Sequence, residues 1–544
     1  YGRSFGLSYI PGHWLETISV SKGTATIMNG YSSITGQINV EYKKPDGKER
    51  VYANLYGNDL GKFEANFNGA VNLSKTWSTM ILGHGAFNRT SIDRNDDGFM
   101  DMPLISTYHL MNRWKYRSED NRLISQFGIS VLDEERLGGR DGFTQTPAGT
   151  FNADVDLGFA VKTSRYEAFW KGGYIFSNRP ATSVAMIHHY SDHTQDVSFF
   201  SQPGTPLTGL FQNHQARQQS FYHALIGETY LFNTDNILQS KVTLTHDVLV
   251  EEGADKPSVE SVETVAGIGL QYTRSADKST LMAGLRLDEN SRFGTLLTPR
   301  LHFRYQPLPK FTIRLSGGRG FRSVHTMAEH FALHLQTREI IGLDQDILEE
   351  AWNYGIHVSH EFAINSNEAV LNVEFFRTDF VDQLVIDYER DASAIYITKL
   401  DGRSFANNIQ ADLRIEPLER LDILVAMRLS DVKTTISGKL QDKPFSKQYK
   451  GLVNISYATR LNKWQFDGTL QLNGKSRLPD DSWLPQEFRG RESSPPYSVI
   501  NLQVTKRFRH WNVYAGVENL TNFTQANPIV SADDPFSGYF DASR

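Results

Sequence analysis

The sequence predicts an all-β transmembrane protein, an antiparallel β-barrel of roughly twenty strands preceded by a small N-terminal domain. Three observations support this prediction. Apolar and polar residues alternate along several segments of six to ten residues. No apolar run is long enough for a membrane helix, and the connections between the segments fall into a short class and a long class.

The alternation is clearest in residues 464–473, where an apolar residue or a glycine stands at every second position and a polar residue stands between. Because a β-strand sends successive side chains to opposite faces, this segment has one apolar face and one polar face. About ten residues match a tilted strand across the bilayer core. A similar two-residue period occurs in residues 51–56, 311–316, 371–376, 423–430 and 513–518, where the intervening residues are mostly polar.

The composition fits a membrane barrel and disfavours other classes. Hydrophobic residues make up 39% of the chain, and no stretch approaches the roughly 18 consecutive apolar residues of a membrane helix. The aromatic content of 12% suits the two interfaces of a membrane barrel. The chain has no cysteine, which is common in exported proteins that cross an oxidising periplasm. Its formal net charge is -6, so the composition lacks the excess of basic residues that is typical of nucleic-acid-binding proteins.

The connections between the alternating segments are of two kinds. Short, turn-like connections occur at residues 57–59, 73–75, 307–309 and 461–463. Long, polar connections are predicted at residues 90–106, 135–155, 179–215, 322–348, 380–406, 431–447 and 474–496, with a short helix within 324–336. Loops this long are unusual inside a compact soluble domain. We therefore expect short turns at one rim of the barrel and long external loops at the other.

The N-terminal residues differ from the rest of the chain. Residues 1–46 are dense in small residues and turns, which predicts a separate domain, and residues 47–544 then form the barrel. The chain begins at Tyr1 without a leader segment, so its N-terminus says nothing about its destination.

In the N-terminal domain, residues 18–25, 30–31, 36–40 and 44–45 form a pattern that resembles the plug domain of TonB-dependent outer-membrane receptors, with Asn29-Gly30-Tyr31 where the family has Tyr-Gly. The residues of this plug motif are Lys22, Gly23, Gly30, Gly36 and Asn39. In the barrel, residues 298–301, 318–322, 349–355 and 516–522 are similar to the family pattern.

The resemblance implies a barrel of about 22 strands in the bacterial outer membrane, closed by an N-terminal plug. It also implies partners: outer-membrane lipids, a small nutrient ligand, and TonB with its inner-membrane energising complex, which displaces the plug. Measured against the family pattern, about two thirds of the plug, including the segment that contacts TonB, and a final aromatic-ended strand are missing. We therefore expect a piece of the full architecture, one strand short.

The residues around Asp533 and Tyr539 suggest a receptor of the Bacteroidetes type. The chain is shorter than the glycan-importing class that pairs with a lipoprotein lid, so the resemblance favours a receptor for an iron-siderophore complex, haem or a metal. Import of cobalamin or an oligosaccharide and a passive porin-like channel are the alternatives, and a surface lipoprotein stays open as a partner. No Ser-His-Asp order, paired-carboxylate motif or metalloprotease helix is present, so we do not expect an enzyme.

Residues 93–101 resemble the first part of a calcium loop. Oxygen-bearing side chains stand at positions 1, 3, 5 and 9, and glycine stands at position 6. Position 12 is Leu104 rather than the bidentate glutamate of an EF-hand, so the loop is at most a shortened one. No cofactor is required, but a structural calcium ion is predicted here, against the alternative of an acidic loop without an ion. Its ligands would be Asp93, Asn95, Asp97, the Phe99 carbonyl and Asp101.

Two histidine clusters are candidates for substrate binding, because neutral imidazoles bind iron, copper or zinc. One cluster is His188, His189 and His193, and the other includes His330 and His334. The latter pair, four residues apart, would share a face if that segment were helical. The alternative is that polar external loops simply contain histidines.

Arg319 and Arg322 can face an anionic substrate from the barrel wall, although lumen charges paired with nearby carboxylates are the simpler interpretation. Lys22-Gly23 lacks the surrounding residues of a phosphate-binding loop.

Overall fold

The computed structural model describes residues 6–144, 156–179, 182–201, 213–253, 256–330, 333, 335–342, 346–364, 367–490 and 492–542. Regular structure in these residues is almost entirely β. The α-helical part is one turn, α1, at Thr326–Glu329. No helix among the described residues is long and apolar enough to cross a membrane.

The strands in chain order are β1 Leu15–Lys22, β2 Gly36–Tyr42, β3 Val51–Gly57, β4 Lys62–Asn72, β5 Trp77–Asn88, β6 Leu104–Arg117, β7 Leu123–Gly139, β8 Leu157–Ile175, β9 Ser183–Ser201, β10 His214–Tyr230, β11 Asn236–Gly253, β12 Lys256–Ser275, β13 Ser279–Asn290, β14 Gly294–Leu308, β15 Phe311–Ser323, β16 Glu339–Ile341, β17 Leu348–Ile364, β18 Asn367–Asp382, β19 Leu384–Asp387, β20 Ala394–Lys399, β21 Ser404–Leu418, β22 Leu421–Ile436, β23 Lys439–Asp442, β24 Tyr449–Ala458, β25 Trp464–Asn473, β26 Tyr497–Arg507 and β27 Asn512–Val517.

The strands form a closed antiparallel barrel that follows chain order from β3 to β27 and leaves out β16, β19 and β20. The 22 strands of this sheet match the number predicted. The short strand β23 and strand β24 pair with successive stretches of β22, so they share one position in the wall. Where β27 meets β3, Asn54 Nδ2 donates a hydrogen bond to Tyr514 Oη at 3.0 Å. The barrel fold class is confirmed.

The two faces of the wall are opposite to those of a water-soluble protein. On β13, Leu285 and Leu287 are 53% and 46% exposed, whereas Arg286 and Asp288, which alternate with them, are 3% and 0% exposed. Arg286 Nε donates to Asp288 Oδ2 at 2.9 Å, so the buried charges are paired. Charged residues are almost never buried while leucines stay outside in a protein surrounded by water. The exposed leucines therefore face lipid, and the charges face the lumen.

Many strands are longer than the alternation in the sequence predicts. β9 and β12 have 19 and 20 residues, about twice what the bilayer core needs. On β9 the outward residue Tyr190 is 40% exposed, and the next outward residues, Asp192 and Thr194, are polar. Both faces of β9 are polar there, so the amino-acid composition of this stretch is typical of a loop. The predicted loop 179–215 is therefore wrong over residues 183–201 and 214–215, and residues 180–181 and 202–212 lie outside the described residues.

The two rims largely follow the prediction. The short turns after β4, β14 and β24 lie at one rim, because each follows a strand that runs in the same direction. The connections after β5, β7, β15, β18, β22 and β25, which are predicted to be long, all lie at the other rim, here called the loop rim. The turn at residues 58–61 also lies at the loop rim, so its predicted grouping with the other short turns is wrong.

Residues 6–46, here called the plug segment, lie inside the barrel. Their core is the two-stranded antiparallel sheet of β1 and β2. From the wall, Arg300 Nη1 donates to the carbonyl oxygens of Ala25 and Thr26 at 2.9 and 3.0 Å. From β6, Arg113 Nη1 donates to the carbonyl of Lys43 at 2.6 Å. Contacts from separate wall strands hold the segment within the lumen. The boundary between residues 46 and 47 stays a prediction.

The side chain of Ile27 fits a niche in the lumen wall. It is fully buried on a short 3-10 turn, Ile27–Asn29. A Cβ atom added at Gly284 would lie 2.7 Å from Ile27 Cγ1, and one at Gly269 would lie 3.0 Å from Ile27 Cδ1. Both distances are shorter than normal van der Waals contact. Glycine at these two wall positions therefore leaves room for the Ile27 side chain, which a larger residue would displace.

Candidate ligand-binding cavity at the loop rim

A cavity of about 460 Å³ opens at the loop rim, and we call it the rim cavity. Its floor is the plug segment, through Ser32, Ile34 and Thr35. Its walls are the loop-rim ends of β15, β17, β18 and β22, with β19 and residues 443–445 at the sides. Its volume lies in the range of small-molecule sites. A ligand that enters from the loop rim meets the plug segment at the base of this cavity.

A small sheet stiffens one wall of the rim cavity. β20 pairs with β16 in parallel and with β19 antiparallel. An apolar cluster packs with this sheet, formed by Val324, Leu333, Ile347, Leu384, Ile395 and Ile397. Because these side chains are buried together, the loops of this wall have a fixed shape rather than an open coil.

The carboxylates of the rim cavity are mostly paired with arginine. Arg322 Nε donates to Glu349 Oε2 at 2.7 Å, and Arg322 Nη1 donates to Glu329 Oε2 at 2.6 Å. The Arg319 guanidinium lies 2.7 Å from Glu350 Oε1. These contacts agree with the simpler interpretation of the two arginines, and their role in substrate binding stays a prediction.

Arg319 and Arg322 do not act as one pair, because three positions along a strand place them on opposite faces. Arg319 lies over the ring of Phe321, with the guanidinium carbon 4.6 Å from the ring centroid, on the same strand face as Leu315, which is 44% exposed. Arg322 lines the rim cavity. Of the two, only Arg322 lines the rim cavity itself, whereas Arg319 contacts the lining residues Phe321 and Glu350.

Lys443 brings a positive charge to the rim cavity that the surrounding carboxylates do not neutralise. Its side chain is exposed to the cavity. Glu329 and Glu349 both pair with Arg322, and no acidic side chain in the described part of the chain lies within ion-pair distance of the Lys443 ammonium. The surrounding protein removes part of the hydration of the Lys443 ammonium, which lowers the pKa of Lys443. The Glu349 carboxylate offsets part of this effect.

His330 also lines the rim cavity, but not on a helix. The helix α1 ends at Glu329, and His330 has φ -127° and ψ 63°. The condition for a shared helical face of His330 and His334 is therefore not met at His330, and His334 lies outside the described residues, so substrate binding by the two histidines stays a prediction. Burial lowers the pKa of His330, and the Glu329 carboxylate partly offsets this. Its ring is therefore neutral at neutral pH and can accept a hydrogen bond or a metal ion.

The other predicted histidines lie on β9, separated from β15 by the five wall strands β10–β14. Strand alternation sends them to different faces. His188 faces outward, with its Nδ1 2.9 Å from Nδ1 of His223. His189 faces the lumen, 3.6 Å from Glu167, and His193 is 1% exposed with its ring 5.9 Å from that of Tyr9. The structure does not bring these three side chains together as a single cluster.

The loop at residues 93–101 is closed by its own hydrogen bonds. Asp93 Oδ2 accepts from the Gly98 amide at 2.8 Å, and Asp97 Oδ1 accepts from the Phe99 amide at 2.9 Å. Asp101 Oδ2 accepts from the Arg94 amide at 3.0 Å. Within the part of the chain that the structure describes, no group of three or more acidic, histidine or cysteine side chains is arranged to hold a metal ion. The calcium ion stays a prediction.

The glycines of the plug motif have physical reasons to be glycine. Gly23, Gly30 and Gly36 have φ values of +72°, +95° and +152°, which residues with a side chain rarely adopt. Next to Gly23, Lys22 forms an ion pair with Glu374 of β18. Asn39 pairs with Ser19 across the sheet of β1 and β2.

Comparison with known proteins supports the same class. A family model described as "TonB dependent receptor-like, beta-barrel" matches residues 85–520. No curated protein matches the chain.

Three solved structures share the fold, each at 12% sequence identity. A mutant of the ferric enterobactin receptor PfeA from Pseudomonas aeruginosa has a TM-score of 0.70, covering 95% of this chain and 81% of that one. The siderophore receptor PirA from Acinetobacter baumannii has a TM-score of 0.70, with 98% and 84% covered. The copper transporter OprC has a TM-score of 0.71, with 95% and 82% covered. At this identity the likeness shows the fold alone.

The plugged barrel and the match over residues 85–520 define the class: an outer-membrane receptor for nutrient import. The chain belongs to the TonB-dependent receptor-like β-barrel family. Its fold is that of transport receptors. The Bacteroidetes type and a lipoprotein partner stay predictions.

Proposed function

We propose that this protein imports an anionic metal complex across the outer membrane, with energy supplied through TonB. The complex is an iron-siderophore complex, haem or another metal chelate. The observation that carries this proposal is the unneutralised ammonium of Lys443 in a cavity whose floor is the plug segment. A ligand bound there touches the element that has to move for import.

The charge of Lys443 favours a ligand with carboxylate or phenolate oxygens. A hydrogen bond to a charged group contributes about 1.5–3 kcal/mol. Loss of the ammonium should therefore lower ligand affinity about 10- to 100-fold. His330 adds a neutral ring on the same cavity, which can accept a hydrogen bond from the ligand or contact its metal.

The test is uptake by cells in which this protein is the receptor under study. The probes are a ferric catecholate complex, a ferric carboxylate complex and haem, each of which carries negative charge, and each is supplied under limitation for iron. We expect uptake of one probe that requires both the protein and TonB. Lys443→Met should reduce this uptake, whereas Lys443→Arg should retain it.

Lys439→Met is the matched control, because Lys439 is exposed in the same connection but does not line the rim cavity. If Lys443→Met and Lys439→Met transport every probe like the unmodified protein, the assignment of the rim cavity is wrong.

A liposome swelling assay separates this proposal from a passive pore. With the plug segment in the lumen, small sugars should not make the liposomes swell. Rapid swelling would favour the passive channel.

A further inference from the structure

His188 and His223 form a pair on the outward face of the wall, here called the histidine pair. The two residues stand directly opposite each other on the neighbouring strands β9 and β10. Their Nδ1 atoms lie 2.9 Å apart, and both side chains are half-buried. Because the pair faces away from the lumen, it is separate from the rim cavity.

The histidine pair lies where the outer surface of the wall changes from apolar to polar. Away from the loop rim, the next outward residue of β10 is Leu225, which is 40% exposed. Aromatic rings flank the pair, with Tyr190 next along β9 and the ring of Trp170 5.3 Å from the nearer imidazole. One step further toward the loop rim, Asp192 forms an ion pair with Arg217. This order is typical of the membrane–water interface, so an ion can reach the imidazoles from the water outside.

The geometry of the histidine pair differs from that of a straight hydrogen bond between two imidazoles. The ring centroids are 4.3 Å apart, and the ring planes meet at 52°. Because each Nδ1 atom lies about 1.1 Å from its own ring centroid, a straight N–H···N bond of this length would place the centroids about 5 Å apart. The ring nitrogens are therefore turned away from the line that joins them, and a hydrogen bond between them is bent and weak.

The same Nδ1–Nδ1 distance suits two imidazole ligands of one metal ion. Imidazole nitrogens bind divalent transition metals at about 2.0–2.1 Å. Two such nitrogens at adjacent corners of a square are about 2.9 Å apart, whereas at a tetrahedral angle they are about 3.3 Å apart. Square-planar or tetragonal coordination by nitrogen is typical of Cu(II), which also binds such ligands more tightly than the other divalent metals of its row.

We propose that His188 and His223 bind a cupric ion at the outer surface of the wall, through Nδ1 of each ring. Both rings bind in the neutral form, so the proton between the two Nδ1 atoms moves to Nε2 of its own ring. The described residues offer no third histidine, cysteine or carboxylate at this position, and water or lipid oxygens complete the coordination. The site does not depend on which complex the rim cavity receives.

The test is copper binding by the protein in lipid nanodiscs, without a histidine tag that would itself bind copper. Cupric ion is the probe, and empty nanodiscs correct for copper bound by lipid phosphates. Electron spin-echo envelope modulation counts the imidazoles on each copper ion through their remote nitrogens, which here are Nε2. We expect saturable binding with modulation from two imidazoles. Copper held by His330 alone would show one imidazole and is thereby distinguished.

Three variants locate the binding. His188→Phe and His223→Phe should each lower the copper affinity by about tenfold or more and remove the two-imidazole signal. His360→Phe is the matched control, because His360 also faces outward, on β17, and its ring packs against Phe311 and Phe362. This control should keep the two-imidazole signal. Heat-dependent gel mobility checks that the barrel of each variant is folded.

Two results would overturn the proposal. One is the absence of a two-imidazole signal in the unmodified protein, which would mean that the two rings only contact each other. The other is an unaltered signal in His188→Phe or in His223→Phe, which would place the copper elsewhere.

Discussion

The docking of Ile27 in its glycine niche predicts how firmly the plug segment is held. Ile27→Ala removes most of a fully buried side chain from contact with Gly269 and Gly284. Isoleucine-to-alanine changes in packed cores cost about 2–5 kcal/mol. A value of about 3 kcal/mol corresponds to a roughly 100-fold shift of the docking equilibrium toward the displaced plug segment. Ile27→Val, which removes one methyl group, should cost about 1 kcal/mol.

The assay is ion conductance across a planar lipid bilayer. We expect open events about 100-fold more often for Ile27→Ala than for the unmodified protein and about fivefold more often for Ile27→Val. The barrel itself should be unaffected, because the strand ladders do not involve Ile27. Far-ultraviolet circular dichroism and heat-dependent gel mobility check this control.

A double-mutant cycle tests the contact directly. Gly284→Ala alone adds a Cβ atom 2.7 Å from Ile27 Cγ1 and should destabilise docking by about 1–3 kcal/mol. In Ile27→Ala/Gly284→Ala the new methyl group occupies part of the vacated space, so the combined effect should be smaller than the sum. Effects that add to within about 0.5 kcal/mol would refute the reasoning, because residues in contact are coupled.

Four further predictions concern charge and metal binding. If residues 93–101 bind calcium, added calcium should raise the thermal midpoint of the unmodified protein but not of Asp93→Asn, and an unchanged midpoint in both would count against the ion. If His330 contacts a soft metal, His330→Ala should weaken cupric-ion binding at least tenfold in a titration, and an unaltered affinity would exclude that role. Burial alone would raise the pKa of Asp46, but the Lys115 ammonium, 2.6 Å from its carboxylate, outweighs burial and lowers the pKa. The pair should therefore stabilise plug docking above about pH 4, and this stabilisation should be lost as the pH falls through the lowered pKa. In a conductance measurement, Asp46→Asn should show no such pH-dependent step. Because the pKa of Lys443 is lowered, the affinity for an anionic ligand should fall with rising pH before a free lysine would lose its proton, and Lys443→Arg should move this fall to higher pH in a binding titration.

The membrane-spanning part of the wall was predictable from the sequence, because lipid and lumen impose opposite demands on successive residues. The segment 464–473, identified by alternation alone, is the strand β25. The segments beginning at residues 51, 311, 371 and 423 likewise fall within β3, β15, β18 and β22, and the segment 513–518 extends one residue beyond the end of β27 at Val517.

The strands beyond the lipid were not predictable in this way. Outside the bilayer both faces of a strand meet water or polar loops, so the two-residue period disappears although the ladder continues. For this reason the sequence predicts a loop around His188 and His193, whereas the two residues lie on opposite faces of β9.

The candidate site was only partly visible in the sequence. Arg322 and His330 were identified as candidates, and both line the rim cavity. Lys443 was not identified, because a lysine in a polar connection carries no pattern. Its position opposite Ser32 follows from closure of the barrel around the plug segment, which brings together residues about 400 positions apart. Glu349, another residue of the rim cavity, lies in the segment 349–355 that resembles the family pattern, and this resemblance is the sequence signal for that part of the cavity.

The leucines at every second position of the wall also bear on biogenesis. A translocon releases segments of about 20 apolar residues sideways into the bilayer that it serves. In β13, Arg286 and Asp288 interrupt the apolar residues, and each charge opposes such release by about 2.5–3.5 kcal/mol. The nascent chain can therefore pass through the inner membrane as an extended polymer without being retained there. Its apolar outer surface forms only when neighbouring strands pair. The alternation of apolar and polar side chains therefore helps to determine which of the two envelope membranes the chain enters.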